Sequence, residues 1–248
     1  MAGPIILTYH SVNDRDSLGI CPDNIVAVDV FERQIRYLSQ KKKILHLVEL
    51  VKCLRSNLDL PHDGVVITFD DSYRDFYSKA YPILKQYEAP STLFVVAGLL
   101  DSGAQKWDDE LAYLVNTAVS STLTARIHGD LRTYSVDSPG LRRDCILDLA
   151  KTLHTLSEEE RTSVVSEIRA QVRKTIHVRP QRVTLTWREA IELSMDKDNL
   201  VSFGAHSYSH PDLVRIPIAK AEREIAMSKH EIESRLGVPC CLLYTSPS

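Results

Sequence analysis

Hydrophobic positions along this chain switch between continuous runs and helical spacing, and that alternation predicts an α/β fold. Ile5 to Tyr9 is a short apolar run, read as a buried strand. From Val30 to Ser39, Phe31, Ile35 and Leu38 recur on one helical face, with Asp29 placed to act as N-cap. Residues 47 to 55 repeat the helical spacing. Gly64 to Phe69 is apolar and β-branched, the pattern of a strand covered on both faces. Arg74 to Tyr87 reads as a helix in which Pro82 causes a kink or an early break. Ser91 to Val96 is the next strand. Strand, helix and strand at this spacing predict a right-handed βαβ unit with parallel strands.

Residues 101 to 184 interrupt the rhythm. Glu110 to Val119 is helical in pattern, and Ala125 to Val136 alternates around Gly129-Asp130 as a hairpin does. Two further helices are expected over Asp144 to Leu153 and Glu158 to Lys174, the second opened by the capping box Ser157-Glu158-Glu159-Glu160. No linker composition marks the edges. The segment is therefore expected to be an insertion covering the top of the main fold rather than a separate domain. The main rhythm then resumes. Trp187 to Met195 is a helix capped by Thr186, Val201 to Ala205 a strand, and Ile218 to Leu236 a long amphipathic helix stopped by Gly237.

Composition narrows the class. The 248 residues suit one α/β domain, with 44% hydrophobic and 25% charged residues. A net charge of −3 gives no electrostatic reason for a nucleic-acid partner. The run Lys41-Lys42-Lys43 is short and reads as a solvated helix end. No apolar run approaches the roughly 20 residues of a transmembrane helix, and the opening Met-Ala-Gly-Pro does not read as a signal peptide. The cysteines are Cys21, Cys53, Cys145, Cys240 and Cys241. Scattered and odd in number, they favour reduced thiols and a cytoplasmic location. The adjacent Cys240-Cys241 pair reads as chance rather than as a metal site.

Two short runs carry the chemistry. Thr68-Phe69-Asp70-Asp71-Ser72 places two carboxylates at the end of an apolar strand, where functional groups gather in parallel α/β folds. Neighbouring residues of a strand point to opposite sides, so the two aspartates can do different work. His206-Ser207-Tyr208-Ser209-His210 follows another strand. Its histidines are spaced to face one way within a helical turn, and Pro211 limits that turn to a local one. One carboxylate and two imidazoles with an open position form the donor set of a catalytic zinc, and the second carboxylate remains as a base. His10 ends the first strand and is a near-site candidate. His62, His154, His177 and His230 read as surface residues, and the aspartates of Trp107-Asp108-Asp109 as helix caps.

These motifs resemble the polysaccharide deacetylase family, the fourth family of carbohydrate esterases. Thr68 to Ser72 is similar to its T-F-D-D-G motif, and His206, Ser207 and His210 to its H-[ST]-x-x-H motif. Leu7-Thr8-Tyr9-His10-Ser11-Val12 resembles the family's opening strand. The resemblance extends through Ala80-Tyr81-Pro82-Ile83-Leu84, Ser91 to Val96, Leu185-Thr186-Trp187-Arg188-Glu189 and Glu222-Arg223-Glu224-Ile225, covering residues 4 to 239. It implies a partial, distorted (β/α) barrel with a helical and hairpin insertion, missing its last strands. It also implies a divalent metal, Zn2+ first, held by Asp71, His206 and His210, with Asp70 as general base. His10, Ser72 and Ser207 are then the residues next to that centre. The implied activity is removal of N-acetyl groups from a bacterial glycan. The alternatives are hydrolysis of a non-sugar C–N bond, or a carbohydrate-binding protein that kept the fold without catalysis.

The chain departs from the family twice. Ser72 replaces the usual glycine, so a positive φ there would fit poorly and the local turn is expected to differ. After Pro239 the family continues into strands carrying oxyanion contacts and a general-acid histidine. Here the chain closes with Cys241-Leu242-Leu243-Tyr244-Thr245-Ser246-Pro247-Ser248, which reads as a translated sequencing adapter. Residues 1–240 are the expected catalytic domain.

Overall fold

The computed structural model describes residues 3–14, 17–59, 61–173, 182–240 and 242–243. His177 and most of the closing octapeptide lie outside the described residues. In chain order the elements are β1 (Ile5–Tyr9), β2 (Ser11–Val12), β3 (Ile25–Val26), α1 (Val28–Lys41), β4 (Lys43–Leu45), α2 (Leu47–Arg55), β5 (Gly64–Phe69), α3 (Tyr81–Gln86) and β6 (Ser91–Val95). There follow α4 (Trp107–Thr117), β7 (Thr122–Ile127), β8 (Asp130–Ser135), α5 (Pro139–Leu153), α6 (Glu158–Arg173), α7 (Trp187–Ser194), β9 (Val201–Ala205) and α8 (Ile218–Leu236). The chain divides into two compact units. One comprises Met1–Asn13, Val26–Ala104 and Thr184–Ser248; the other comprises Asp14–Ile25 and Gln105–Val183.

The first unit is built on a parallel sheet of order β1-β5-β6-β9, with β4 also paired to β5. Strand alternation sorts its side chains into two faces. Ile67 and Phe69 of β5, Leu93 and Val95 of β6, and Val201, Phe203 and Ala205 of β9 enter the main core. There they join Phe31, Ile35 and Leu38 of α1, Ala190 and Leu193 of α7, and Ile232 of α8. On the alternate positions a row of hydroxyls runs across the sheet in register: Thr8 opposite Thr68, Thr68 opposite Thr92, and Thr92 opposite Ser202. They satisfy one another, Thr68 Oγ1 donating to Thr8 Oγ1 at 3.0 Å while the Thr92 and Ser202 oxygens lie 2.8 Å apart.

An aromatic group fixes the end of β5. Phe69 stacks on Tyr9 with centroids 5.4 Å apart and meets Phe76 edge-on at 4.8 Å; Phe31 closes on Tyr9 at 5.1 Å. Such pairs contribute about 0.5–1.5 kcal/mol each beyond their buried area, so the strand end that leads into Asp70 is stiff.

Several local expectations change. β1 is buried only at its carboxyl end, by Tyr9: Ile5 and Ile6 are half exposed, because β1 is the outer strand of the described sheet. Asp29 does not cap α1. Ala27 holds the cap position, and Asp29 sits in the first turn, bonded to Arg33 at 2.7 Å. The helix expected over 74–87 runs from Arg74 to Gln86, with its turn at Phe76–Ala80 widened to a π-turn ahead of α3. Pro82 accounts for this, since it offers no amide and its ring opposes the carbonyl one turn back. By contrast α7 opens as expected, with a complete capping box between Thr186 and Glu189, and Gly237 stops α8 in the left-handed conformation at φ 66°.

The second unit has its own core. Leu111 and Val115 of α4, Leu123, Ala125 and Ile127 of β7, Ile146 and Leu149 of α5, and Val165 and Ile168 of α6 are all buried together. The hairpin turn falls on His128-Gly129, one residue before its expected place, with φ values of 51° and 89°. Helix α5 begins five residues early, at Pro139, because Ser138 caps it through the Leu141 amide. Asp109 is not a cap. It is buried and accepts the Cys21 amide at 3.0 Å. Cys21, Cys53, Cys145 and Cys240 are free thiols, and burial pushes Cys21 and Cys145 up to about 12, which leaves both unreactive. No helix among the described residues is long and apolar enough to cross a membrane.

Candidate metal centre

Asp70 continues β5 by one hydrogen bond, its amide donating to the Tyr9 carbonyl at 3.0 Å. The chain then turns sharply. Asp71 has φ 70° and Ser72 φ 59°, both left-handed. The left-handed turn at Asp71 ends the strand alternation expected of the two aspartates. Ser72 takes the positive φ that glycine would favour. Two bonds hold it there: Ser72 Oγ accepts the Val96 amide at 2.8 Å, and its carbonyl accepts the Leu185 amide at 2.9 Å. Asp70, Asp71 and Ser72 are all buried.

Beyond β9, His206 is pinned to the sheet by its amide, which donates to the Val95 carbonyl at 2.9 Å. Residues 206–210 form a bend rather than the helical turn expected, with Ser207 at φ 60° and His210 at φ 61°. Ser207 Oγ accepts the His210 amide at 3.1 Å. Left-handed conformations cost non-glycine residues about 1–2 kcal/mol each, and four of them gather in these two short runs.

The two runs meet at one point. Asp71 Oδ1 lies 3.3 Å from His206 Nε2 and 3.1 Å from His210 Nε2, and the two ring nitrogens are 3.2 Å apart. Asp71 and His206 are buried, whereas the His210 side chain is 30% exposed, so the cluster opens to solvent on that side. These three residues are the only group of its kind among those described. Ligands at about 2.0–2.1 Å in a tetrahedron lie roughly 3.3 Å from one another, so the observed triangle has the size a small divalent cation requires. Two nitrogens and one oxygen also suit such an ion chemically.

Of the remaining candidates, His10 stands half-buried at the carboxyl end of β1, the strand paired with β5. His62, His154 and His230 are exposed. Two residues given no role by sequence reasoning hold the histidine bend. Glu224 of α8 accepts the amides of Tyr208 and Ser209 at 3.0 and 2.7 Å and the Ser209 hydroxyl at 2.8 Å. The Gly98 amide donates to the Tyr208 carbonyl at 2.8 Å, and a Cβ on Gly98 would lie 2.6 Å from that oxygen. Glu224 was visible as a polar position on an amphipathic helix, within a segment that carries the family resemblance but with no role assigned, and Gly98 as a glycine after a strand.

An aspartate pair and a histidine bend at the carboxyl ends of the parallel strands β5 and β9, which flank β6, define an α/β protein with a carboxylate–imidazole centre. Comparison with known proteins narrows the class. The polysaccharide deacetylase profile matches residues 57–138. The poly-β-1,6-N-acetyl-D-glucosamine N-deacetylase of Escherichia coli K12 is 34% identical over 115 residues, which span 44% of this chain and 16% of that relative. The Streptococcus pyogenes deacetylase PplD, solved with acetate, superposes with a TM-score of 0.58 at 21% identity, over 98% of this chain and 73% of that one. IcaB from Ammonifex degensii gives 0.57 at 16% identity, over 99% and 74%. The chain is similar to the polysaccharide deacetylase family, and its fold is that of these solved deacetylases, a distorted (β/α) barrel represented here in part.

Proposed function

We propose that this protein is a metal-dependent hydrolase that removes N-acetyl groups from a glycan, with poly-N-acetylglucosamine as the substrate class. The observation that carries the reading is the triangle of Asp71 Oδ1, His206 Nε2 and His210 Nε2, each edge between 3.1 and 3.3 Å. The substrate class rests on relatives of that named activity.

Asp71, His206 and His210 would hold the cation, with zinc favoured by the donor set. When bound, such an ion acidifies water towards a pKa of about 7 and polarises an acyl oxygen. Asp70 precedes the ligand Asp71 and lies in the same buried turn. Its carboxylate takes the proton from the water that attacks the acetamide carbonyl. The C–N bond breaks, acetate leaves, and the sugar amine picks up a proton. Ser72 and Ser207 serve the centre indirectly, through the hydrogen bonds that hold the two left-handed turns.

The test is metal analysis of the purified protein together with acetate release from β-1,6-linked N-acetylglucosamine oligomers, before and after chelation. About one zinc per chain and chelator-sensitive release are expected. Release that survives complete removal of metal would exclude the reading.

A further inference from the structure

The spacing of the two histidines is not a property of their own segment. A helical turn would place residues four apart on one face by intrinsic preference. Here residues 206–210 are a bend, and two of the five, Ser207 and His210, are non-glycine residues in the left-handed region. Such a segment keeps one shape only if the surroundings impose it.

Its two ends are held differently. His206 is fixed directly to the sheet through the Val95 carbonyl. His210 is fixed within the segment, through Ser207 Oγ, and then by whatever holds Tyr208 and Ser209. Two anchors do so: the Gly98 amide, which donates to the Tyr208 carbonyl alone, and Glu224, which holds both residues. One carboxylate oxygen accepts two consecutive amides, at 3.0 and 2.7 Å, and the other accepts the Ser209 hydroxyl at 2.8 Å. Glu224 is only 9% exposed and sits on α8, whose Ser228 and Ile232 are fully buried one and two turns further on. Bonds to an ionised acceptor are roughly twice as strong as neutral ones, and three of them converge on two residues.

We propose that Glu224 is the positioning residue that sets the distance between the His206 and His210 ligand atoms, and so the affinity of the centre for its metal. The proposal rests on the metal reading above. Glu224 touches neither ligand ring in these contacts; it acts through the backbone of Tyr208 and Ser209. Without it the two left-handed residues can relax. His210 then drifts from Asp71, while His206 stays tied to β6.

The test compares apo wild type with Glu224→Ala, Glu224→Gln and Glu224→Asp, each titrated with Zn2+ against a chelator and with Co2+ by visible absorption. Thermal unfolding of the apo forms reports on folding. Gln keeps the length and an acceptor oxygen; Asp keeps the charge but is one methylene short. Zinc affinity is expected to fall about 10–100-fold in Ala and Asp, with a changed Co2+ spectrum, and by less than about tenfold in Gln. If Ala does not fold, the Gln and Asp pair decides. Wild-type affinity in Asp, or a loss in Gln as large as in Asp, overturns the positioning role, since charge or bulk would then matter rather than reach. A wild-type protein that takes up no metal overturns the metal reading as well. Normal wild-type uptake with unchanged affinity in Ala and Asp overturns this inference alone.

Discussion

Asp71 Oδ1 and His210 Nε2 lie 3.1 Å apart although 139 residues of sequence separate them. Asp70, one residue before that carboxylate, is not among the three clustered side chains. Exchanging these positions separates holding from reacting. His210→Ala is expected to lower bound metal and acetate release together. Asp70→Asn is expected to keep the metal and lose about 10²–10⁴-fold in release. Elemental analysis beside the activity assay checks both, and equal metal loss in the two variants would show the division of roles to be wrong.

Gly98→Ala should injure the centre from behind. The new Cβ would stand 2.6 Å from the Tyr208 carbonyl oxygen and 2.9 Å from its ring. Since the first of these is backbone, the histidine bend must move. Overpacking of this kind costs about 1–3 kcal/mol. Urea unfolding should show that loss, and zinc titration should show weaker binding in the protein that remains folded.

At position 72 the order of two substitutions is informative. Ser72→Ala keeps the left-handed strain and leaves the buried Val96 amide without its acceptor, at a cost of about 1–3 kcal/mol. Ser72→Gly loses the same bond but relieves strain of about 1–2 kcal/mol. Alanine is therefore expected to be the less stable variant, as measured by denaturant midpoints. The reverse order would mean that the strain at φ 59° is negligible.

Asp75 should give the protein a pH dependence. It is buried, and burial pushes its carboxyl up from 3.8 to about 6, partly opposed by hydrogen bonds from Ser11, the Val12 amide and Asn13 and by the nearby Lys79. The folded state thus holds this proton more tightly than the unfolded state does. The resulting contribution to stability is complete below about pH 4 and lost as pH rises through about 6, roughly 3 kcal/mol at most. Asp75→Asn should flatten that slope in urea titrations run across this interval. An unchanged slope would assign it to another group.

Much of this was legible in the chain because it depends on neighbours in sequence. The strands Gly64–Phe69 and Val201–Ala205, the helix face of Phe31, Ile35 and Leu38, the Thr186–Glu189 capping box and the Gly237 stop all follow from local periodicity and end chemistry. So did the identity of Asp70, Asp71, His206 and His210 as chemically unusual residues at strand ends. Tertiary structure decided what local rules do not contain. Ile5 and Ile6 are exposed because β1 lies at the edge of the described sheet, and periodicity does not encode strand order. The left-handed turns at Asp71, Ser72, Ser207 and His210 run against intrinsic preference, and beside the local Ser207–His210 bond partners distant in sequence, Val96, Leu185, Gly98 and Glu224, hold two short segments in them. The triangle of Asp71, His206 and His210 depends on those long-range bonds, so its residues could be named from the sequence while its dimensions could not.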